Sequence, residues 1–324
     1  MVSRWGILDM GSNTLLLLLA TWENEHNKLR IIADEHFIAR LGAAVPEKGT
    51  IGDRELRRAI QVALFYNELC RCHAVQKIWA IGTAVFRKAK NANEVIASLS
   101  QCFMCNFEAT ILSPEQEALL SFWGAELPKQ SKQLVAVIDI GGGSTELTVG
   151  VQWEVLQSFS LPLGALWLWE RAQHHGWGLE RIRSFVKEMV SDTLPSLRSP
   201  ACERAYVLAG TPVTLAGILS GIPYQEWWRT HGSVISRDDL TSLLPWLWNR
   251  REHLRDLPTV HPDRADILPA GAVILDALLE HLCLPSVFVS VYGLRYGALC
   301  ALLHREGLLD LSRDFVVEDY RLTL

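Results

Sequence analysis

Val135-Ala136-Val137-Ile138-Asp139-Ile140-Gly141-Gly142-Gly143-Ser144-Thr145-Glu146-Leu147-Thr148-Val149-Gly150 reads as a strand, a glycine turn and a second strand. Glycine carries no Cβ, so the backbone N–H groups of such a turn come close to a ligand. Asp139 and Glu146 flank the turn, where carboxylates hold a cation or a water. The combination suits a phosphate with a divalent metal.

The pattern occurs twice. Ile7-Leu8-Asp9-Met10-Gly11-Ser12-Asn13-Thr14 repeats Val137-Ile138-Asp139-Ile140-Gly141-Gly142-Gly143-Ser144: apolar, apolar, Asp, apolar, Gly, then small residues. One copy reads equally well as an ordinary hairpin with glycine at a tight turn. Two copies about 130 residues apart point to a duplicated domain. Two similar α/β halves are then expected to face each other across a cleft and clamp a phosphate between their glycine turns.

The bulk properties agree with a large folded protein. The 324 residues suit two domains, and 49% hydrophobic against 21% charged residues allow a sizeable core. The net charge of −5 argues against a general nucleic-acid or membrane-surface binder. Seven cysteines without a regular framework, and no evident leader peptide, lead to the expectation of a reducing cytoplasm. The apolar run Leu15 to Ala20 is far short of the ~20 residues a membrane helix needs and reads as a buried strand.

Along the chain, residues 5–9, Thr14 to Trp22 and Lys28 to Phe37 are predicted strands around the first turn. Asp53 is expected to cap a helix running to about Cys72, with a strand at Lys77 to Ile81 and a strand at Phe107 to Leu112. Ser113-Pro114-Glu115-Gln116 is a helix start with Ser at the N-cap, Pro at N1 and Gln at N3. The polar stretch Leu127 to Lys132 marks the domain boundary, giving domains of 1–127 and 128–324, with the alternative that the C-terminal helix packs back on the first domain. Farther on, helices are predicted from Gly164, over Leu179 to Leu197, over Asp238 to Trp248 and over Pro262 to Leu282. Strands are expected at Ala205 to Leu208 and Val287 to Val289, with a helix and a mixed tail over 294–324.

Glu117 falls in the first turn of a helix that follows a strand, where a crevice opens in α/β folds. A carboxylate there can orient and deprotonate a water. It can also be a surface acid favoured by the helix dipole. Glu115 competes with it, and spacing does not choose between them. Arg87 follows a strand and a small-residue turn, a position from which it can stabilise a transferring phosphoryl group or lie in solvent.

Four stretches together resemble the exopolyphosphatase / guanosine pentaphosphate phosphatase family: Asp9-Met10-Gly11-Ser12-Asn13, Gly82 to Ala89, Asp139 to Glu146, and Gly293-Leu294-Arg295. Shorter matches at Arg40-Leu41-Gly42, Leu161-Pro162-Leu163-Gly164, Ala209-Gly210-Thr211, His231-Gly232 and Arg264 to Gly271 keep the family's order over about residues 5–300. The resemblance implies two actin-like (ribonuclease H-like) α/β domains, the sugar kinase/heat-shock ATPase/actin superfold, with the active site in the interdomain cleft. It implies Mg²⁺-dependent release of terminal orthophosphate from inorganic polyphosphate or pppGpp. By this resemblance Glu117, directly before Ala118, is the general base and Arg87 binds the phosphate. Asp139 and Glu146 belong to the metal and the water, with help from Asp9. Gly11, Ser12, Asn13, Gly141, Gly142, Gly143 and Ser144 bind phosphate oxygens. The chain is similar to the family's short form, for which a homodimer is expected.

Several positions depart from the family pattern. Pro114 stands for a glycine, Gln116 for a glutamate, Leu119 for an arginine, Leu16 for a basic residue and Tyr296 for a glutamate. They alter the charge around the site and leave its base, acids and glycines intact, so they bear on substrate and rate. A nucleoside di- or triphosphate phosphatase, or a non-catalytic sensor of phosphorylated nucleotides, is the competing expectation. An actin-like ATPase or sugar kinase is disfavoured, because the adenosine-side motif Ala209-Gly210-Thr211-Pro212 is brief. Cys102-Phe103-Met104-Cys105 with Cys70-Arg71-Cys72-His73 upstream has irregular spacing for zinc and suits buried thiols. His231 is assigned a structural role, and the tryptophans are assigned mainly to the core.

Overall fold

A computed structural model describes residues 3–127, 132–194, 202, 204–319 and 321. The chain divides into two compact units, residues 1–130 with 294–324, and residues 131–293. The polar boundary stretch 127–132 is mostly outside the described residues, which omit 128–131.

The first unit opens with an antiparallel meander, β1 (Arg4–Met10), β2 (Thr14–Glu23) and β3 (Lys28–Ile38). A short α1 (Val45–Lys48) leads to α2 (Asp53–Cys72), then β4 (Lys77–Gly82), α3 (Ala84–Lys88), α4 (Ala92–Ser100), β5 (Asn106–Ile111) and α5 (Pro114–Ala125). The second unit repeats the plan. Its meander is β6 (Val135–Ile140), β7 (Thr145–Val151) and β8 (Glu154–Leu161), followed by α6 (Ala165–His174), α7 (Leu179–Thr193), β9 (Arg204–Leu208) and α8 (Gly210–Ser220). After these come β10 (Val234–Ser236), α9 (Arg237–Asn249), α10 (Leu268–His281) and β11 (Ser286–Val289). The chain then returns to the first unit with α11 (Leu294–Arg305) and β12 (Val316–Glu318).

The sheet orders are β12-β3-β2-β1-β4-β5 and β10-β11-β9-β6-β7-β8. Each contains the same core: a three-stranded meander whose first strand continues into two parallel strands, β1-β4-β5 and β6-β9-β11. The duplication visible in the two Asp–x–Gly turns therefore extends through both sheets, and each unit has an actin-like layout. The inner strands are buried on both faces, as their unbroken apolar runs require; Leu15 to Ala20, in β2, is one of them.

Ser113 caps α5 through a reciprocal capping box with Gln116. Two predicted elements differ. The helix over Pro262 to Leu282 is instead a short 3-10 turn at Pro262–Arg264 followed by α10, which carries Pro269 near its start, where a missing N–H costs nothing. The helix from Leu179 ends at Thr193, and residues 195–197 are outside the described ones. The tryptophans divide between core and rim. Trp5 and Trp22 are buried, whereas Trp246 and Trp248 are half-buried beneath the guanidinium groups of Arg250 and Arg251. No helix among the described residues is long and apolar enough to cross a membrane.

Helix α11 packs on α5 at a glycine. A Cβ on Gly297 would lie 1.8 Å from the Leu120 carbonyl oxygen and 3.1 Å from the Gly124 nitrogen. The two helices thus meet at backbone distance, which fixes the position of α5 and of Glu117 in its first turn. Replacing Gly297 by Ala is expected to cost about 3 kcal/mol, because rigid backbone has to move. Thermal unfolding checks this.

The tail is secured by a buried polar network. Arg295 and Arg321 both pair with Asp34 on β3, Arg321 at 2.9 Å. The Tyr296 hydroxyl donates to Asp34 Oδ2 at 2.8 Å and accepts from Arg321 Nη2 at 2.7 Å. Asp319 also holds Arg321. Tyr296, one of the departures from the family pattern, thus bridges the network where a glutamate would add a second carboxylate beside Asp34. Burial alone would raise the Asp34 carboxyl, but Arg295 and Arg321 outweigh it and hold the group below its ordinary value of 3.8. A lowered folded value stabilises the protein above the unfolded pKa, and that stability is lost as pH falls through the lowered value. Asp34→Asn should therefore cost about 3 kcal/mol at neutral pH by leaving buried cations underpaired. It should also flatten the fall in melting temperature below about pH 4.

Candidate active site

In the first unit the relevant groups stand at the carboxyl ends of three adjacent parallel strands. The Asp9 turn follows β1, Arg87 follows β4 on α3, and Glu117 follows β5 on α5. This is the edge of an α/β sheet where ligands bind. The Gly11 N–H donates to the Thr14 carbonyl at 2.9 Å, closing the turn. The loop is braced from outside. Arg40 N–H donates to the Asn13 carbonyl at 2.8 Å and Gly42 N–H to the Ser12 carbonyl at 2.7 Å. A Cβ on Gly42 would sit 3.0 Å from Ser12 Cβ, so the Arg40-Leu41-Gly42 motif is a strut for the loop. Both polar atoms of the Asn13 amide are buried without a hydrogen-bond partner among the described residues. Such an amide is costly unless a ligand or water completes it.

The Arg87 guanidinium donates through Nη1 to Glu117 Oε2 at 2.6 Å and to the Leu112 carbonyl at 2.9 Å. The structure thus brings two predicted site residues together and separates the two candidate glutamates. Glu117 is 8% exposed. Glu115 is exposed and accepts from the Ser113 hydroxyl at 2.7 Å. Leu16 lies opposite Asp9 on β2 and puts an apolar, half-buried side chain beside that acid.

The second unit has the same construction. The Gly141 N–H donates to the Ser144 carbonyl at 3.0 Å, matching Gly11 and Thr14. Here the strut is Gly164. Its Cβ would lie 2.4 Å from the Gly142 carbonyl carbon and from the Gly143 nitrogen. The first turn of α6 ties down the same loop, with Ala165 N–H on the Gly141 carbonyl at 2.9 Å and Trp167 N–H on the Gly142 carbonyl at 3.0 Å. Asp139 and Glu146 face each other across β6 and β7. Glu146 is almost fully buried and accepts from the Ser160 hydroxyl at 3.0 Å. Two carboxylates at directly opposite positions repel, so the pair favours a cation. Mg²⁺ is held through one or two carboxylates together with waters and phosphate oxygens, and this donor set fits it.

Arg264 is a charged group whose role could not be read from spacing. A Cβ on Gly210 would meet its Nη1 at 1.8 Å, so the guanidinium lies flat on the first residue of α8. Burial pushes its pKa down to about 10, and no carboxylate among the described residues pairs with it. Just before it, Ala209 is held at φ 74°, a left-handed conformation costly for a residue with a Cβ. Gly271, where a Cβ would lie 2.3 Å from Thr211 Oγ1, lets α10 close on α8. The Ala209-Gly210-Thr211 and Arg264 to Gly271 motifs are therefore one constellation: a half-buried cation at a helix N-terminus, suited to an anion. A signal for it existed in the sequence, an Arg and two glycines inside family-like stretches, but the contact among them is tertiary. His231 packs its ring against Tyr292 with centroids 4.9 Å apart. Among the described residues no group of three or more His, Cys, Asp or Glu side chains is arranged to hold a metal.

The model of the Ppx/GppA phosphatase family matches residues 20–306. The exopolyphosphatase 2 of Mycobacterium tuberculosis is 29% identical over 293 residues, covering 87% of this chain and 91% of that protein. The crystal structure of the Aquifex aeolicus member of the Ppx/GppA family superposes with a TM-score of 0.74 at 27% identity, covering 94% of this chain and 99% of the other. An exopolyphosphatase from Cytophaga hutchinsonii, 22% identical over 95% of this chain and 99% of its own, shares the fold with a TM-score of 0.78. With the duplicated actin-like sheets, the paired glycine loops and a family match spanning most of the sequence, the chain belongs to the Ppx/GppA phosphatase family.

Proposed function

We propose that the protein is a phosphoanhydride hydrolase that releases orthophosphate from the end of inorganic polyphosphate, with pppGpp as the second substrate to test. The observation that carries this reading is the Arg87–Glu117 pair, a buried carboxylate held at 2.6 Å by a guanidinium at the carboxyl edge of the sheet. The guanidinium fixes the orientation of the carboxylate, which a general base needs. The similarity to an exopolyphosphatase favours polyphosphate.

In this reading Glu117 orients a water toward the terminal phosphorus and takes its proton as the new O–P bond forms; the bridging P–O bond breaks and the shortened phosphate chain leaves with the bridging oxygen. Arg87, beside it, offers its remaining N–H groups to the phosphate oxygens. Backbone N–H groups of the 11–13 loop in the first unit, and of the 141–144 loop in the second, are each available to phosphate oxygens. The Asn13 amide, buried and unsatisfied, gains a partner when phosphate arrives. Asp139 and Glu146 would hold Mg²⁺, with Asp9 assisting, and the ion would neutralise phosphate oxygens when bound. Arg264 at the start of α8 offers a further anion contact, which an extended polyphosphate or a nucleotide with several phosphates can use. A homodimer belongs to the same proposal.

The experiment is orthophosphate release from polyphosphates of several lengths, pppGpp, ADP and ATP. Release from polyphosphate is expected, and Glu117→Gln should lower kcat about 10³-fold with nearly unchanged binding. Near-normal turnover in that variant would remove Glu117 as the base. Tight binding without release from any substrate would make the protein a sensor. Chelation should abolish release and added Mg²⁺ restore it, and Asp139→Asn should raise the Mg²⁺ concentration required by about tenfold or more.

A further inference from the structure

The C-x-x-C stretch does not act as one motif. The Cys102 thiol turns back to the Ser98 carbonyl of α4 at 3.6 Å. Cys105 is hydrogen-bonded to a different thiol, Cys70 in the last turn of α2. Three further observations place this pair. The Met104 N–H donates to the Asn67 side-chain oxygen at 3.0 Å, which fastens the loop before β5 to α2 one turn ahead of Cys70. Both thiols belong to the same apolar cluster, with Cys70 in its core and Cys105 at its margin. Their access differs: Cys70 is 2% exposed, whereas Cys105 is half-buried beside the fully exposed Met104. All seven cysteines are free thiols.

We propose that Cys70 and Cys105 are a reversible oxidation site, which hydrogen peroxide converts to a disulfide that staples α2 to the entry of β5. The segment between them carries β4, α3 and Arg87, so the bond encloses the part of the first unit that bears the arginine of the candidate site. Cys105 is the attacking thiol. The hydrogen bond from Cys70 lowers its pKa, and the same bond together with burial raises that of Cys70. The Cys105 sulfur attacks one peroxide oxygen, the O–O bond breaks and water leaves, giving a sulfenic acid. The Cys70 sulfur then attacks the Cys105 sulfur, the S–O bond breaks and a second water leaves. Two thiols lose two electrons in all, and the peroxide gains them. A thiol reductant reverses the bond by exchange.

The test uses the full chain treated with hydrogen peroxide. The expected result is a loss of about 2 Da in intact mass, reversed by dithiothreitol. Peptide mapping should give a Cys70–Cys105 crosslink, and the melting temperature should rise by about 5 °C or more. Cys105→Ser should abolish the mass loss and the rise, while Cys102→Ser should leave both intact. Mapping on the wild-type chain tests the pairing even if a variant folds poorly. A crosslink between Cys102 and Cys105, sulfinic acid at Cys105 without a crosslink, or seven thiols still free after peroxide would each overturn the proposal.

Discussion

The phosphate chemistry proposed for this protein depends on two backbone turns being held in shape. Gly11 and Gly141 each donate an amide to the carbonyl three residues on, so the following N–H groups lie on a turn rather than in a sheet ladder. Both turns are braced from outside. Each has a second glycine packed against it from a later segment, Gly42 in the first unit and Gly164 in the second. A Cβ at Gly164 would overlap the backbone of Gly142 and Gly143, so any side chain there would push the loop out of position. The shape of the two glycine loops is thus a packing result, imposed from outside by residues of later segments.

The same economy of side chains appears in the helix that carries Glu117. Its start is defined locally by the Ser113–Gln116 capping box and Pro114. Its position is defined at long range by Gly297, where α11 meets the α5 backbone. Pro114, which stands where the family carries a glycine, fits this start because the first helical residue has no intrahelical use for its N–H. Tyr296, another departure, fits the Asp34–Arg321 network that anchors the C-terminal tail. These two changes have local physical accounts, and nothing in the structure explains Leu119.

How much was legible in advance differs by residue. The meanders, the helix at Asp53–Cys72 and the α5 start follow from periodicity and caps, which are local and leave a mark in sequence. The short edge strands β10 and β12 left none, because three residues are too few for a period and their pairing partners are distant in sequence. Arg264 showed only as part of a motif. Its distinction is that a guanidinium lies on Gly210 without a carboxylate among the described residues to neutralise it, which is a matter of contact.

The sequence by itself determined that the fold is duplicated, that each half carries an Asp-entered glycine turn, and which residue types are available for phosphate chemistry. Those properties are written in order and spacing, because strands alternate, turns need glycine and helices need caps. Only the tertiary structure decided which carboxylate in α5 is buried against Arg87, which glycines brace the loops, and which thiol partners Cys105. These depend on side chains far apart in the chain meeting at distances of a few ångströms, and spacing along the chain does not encode them.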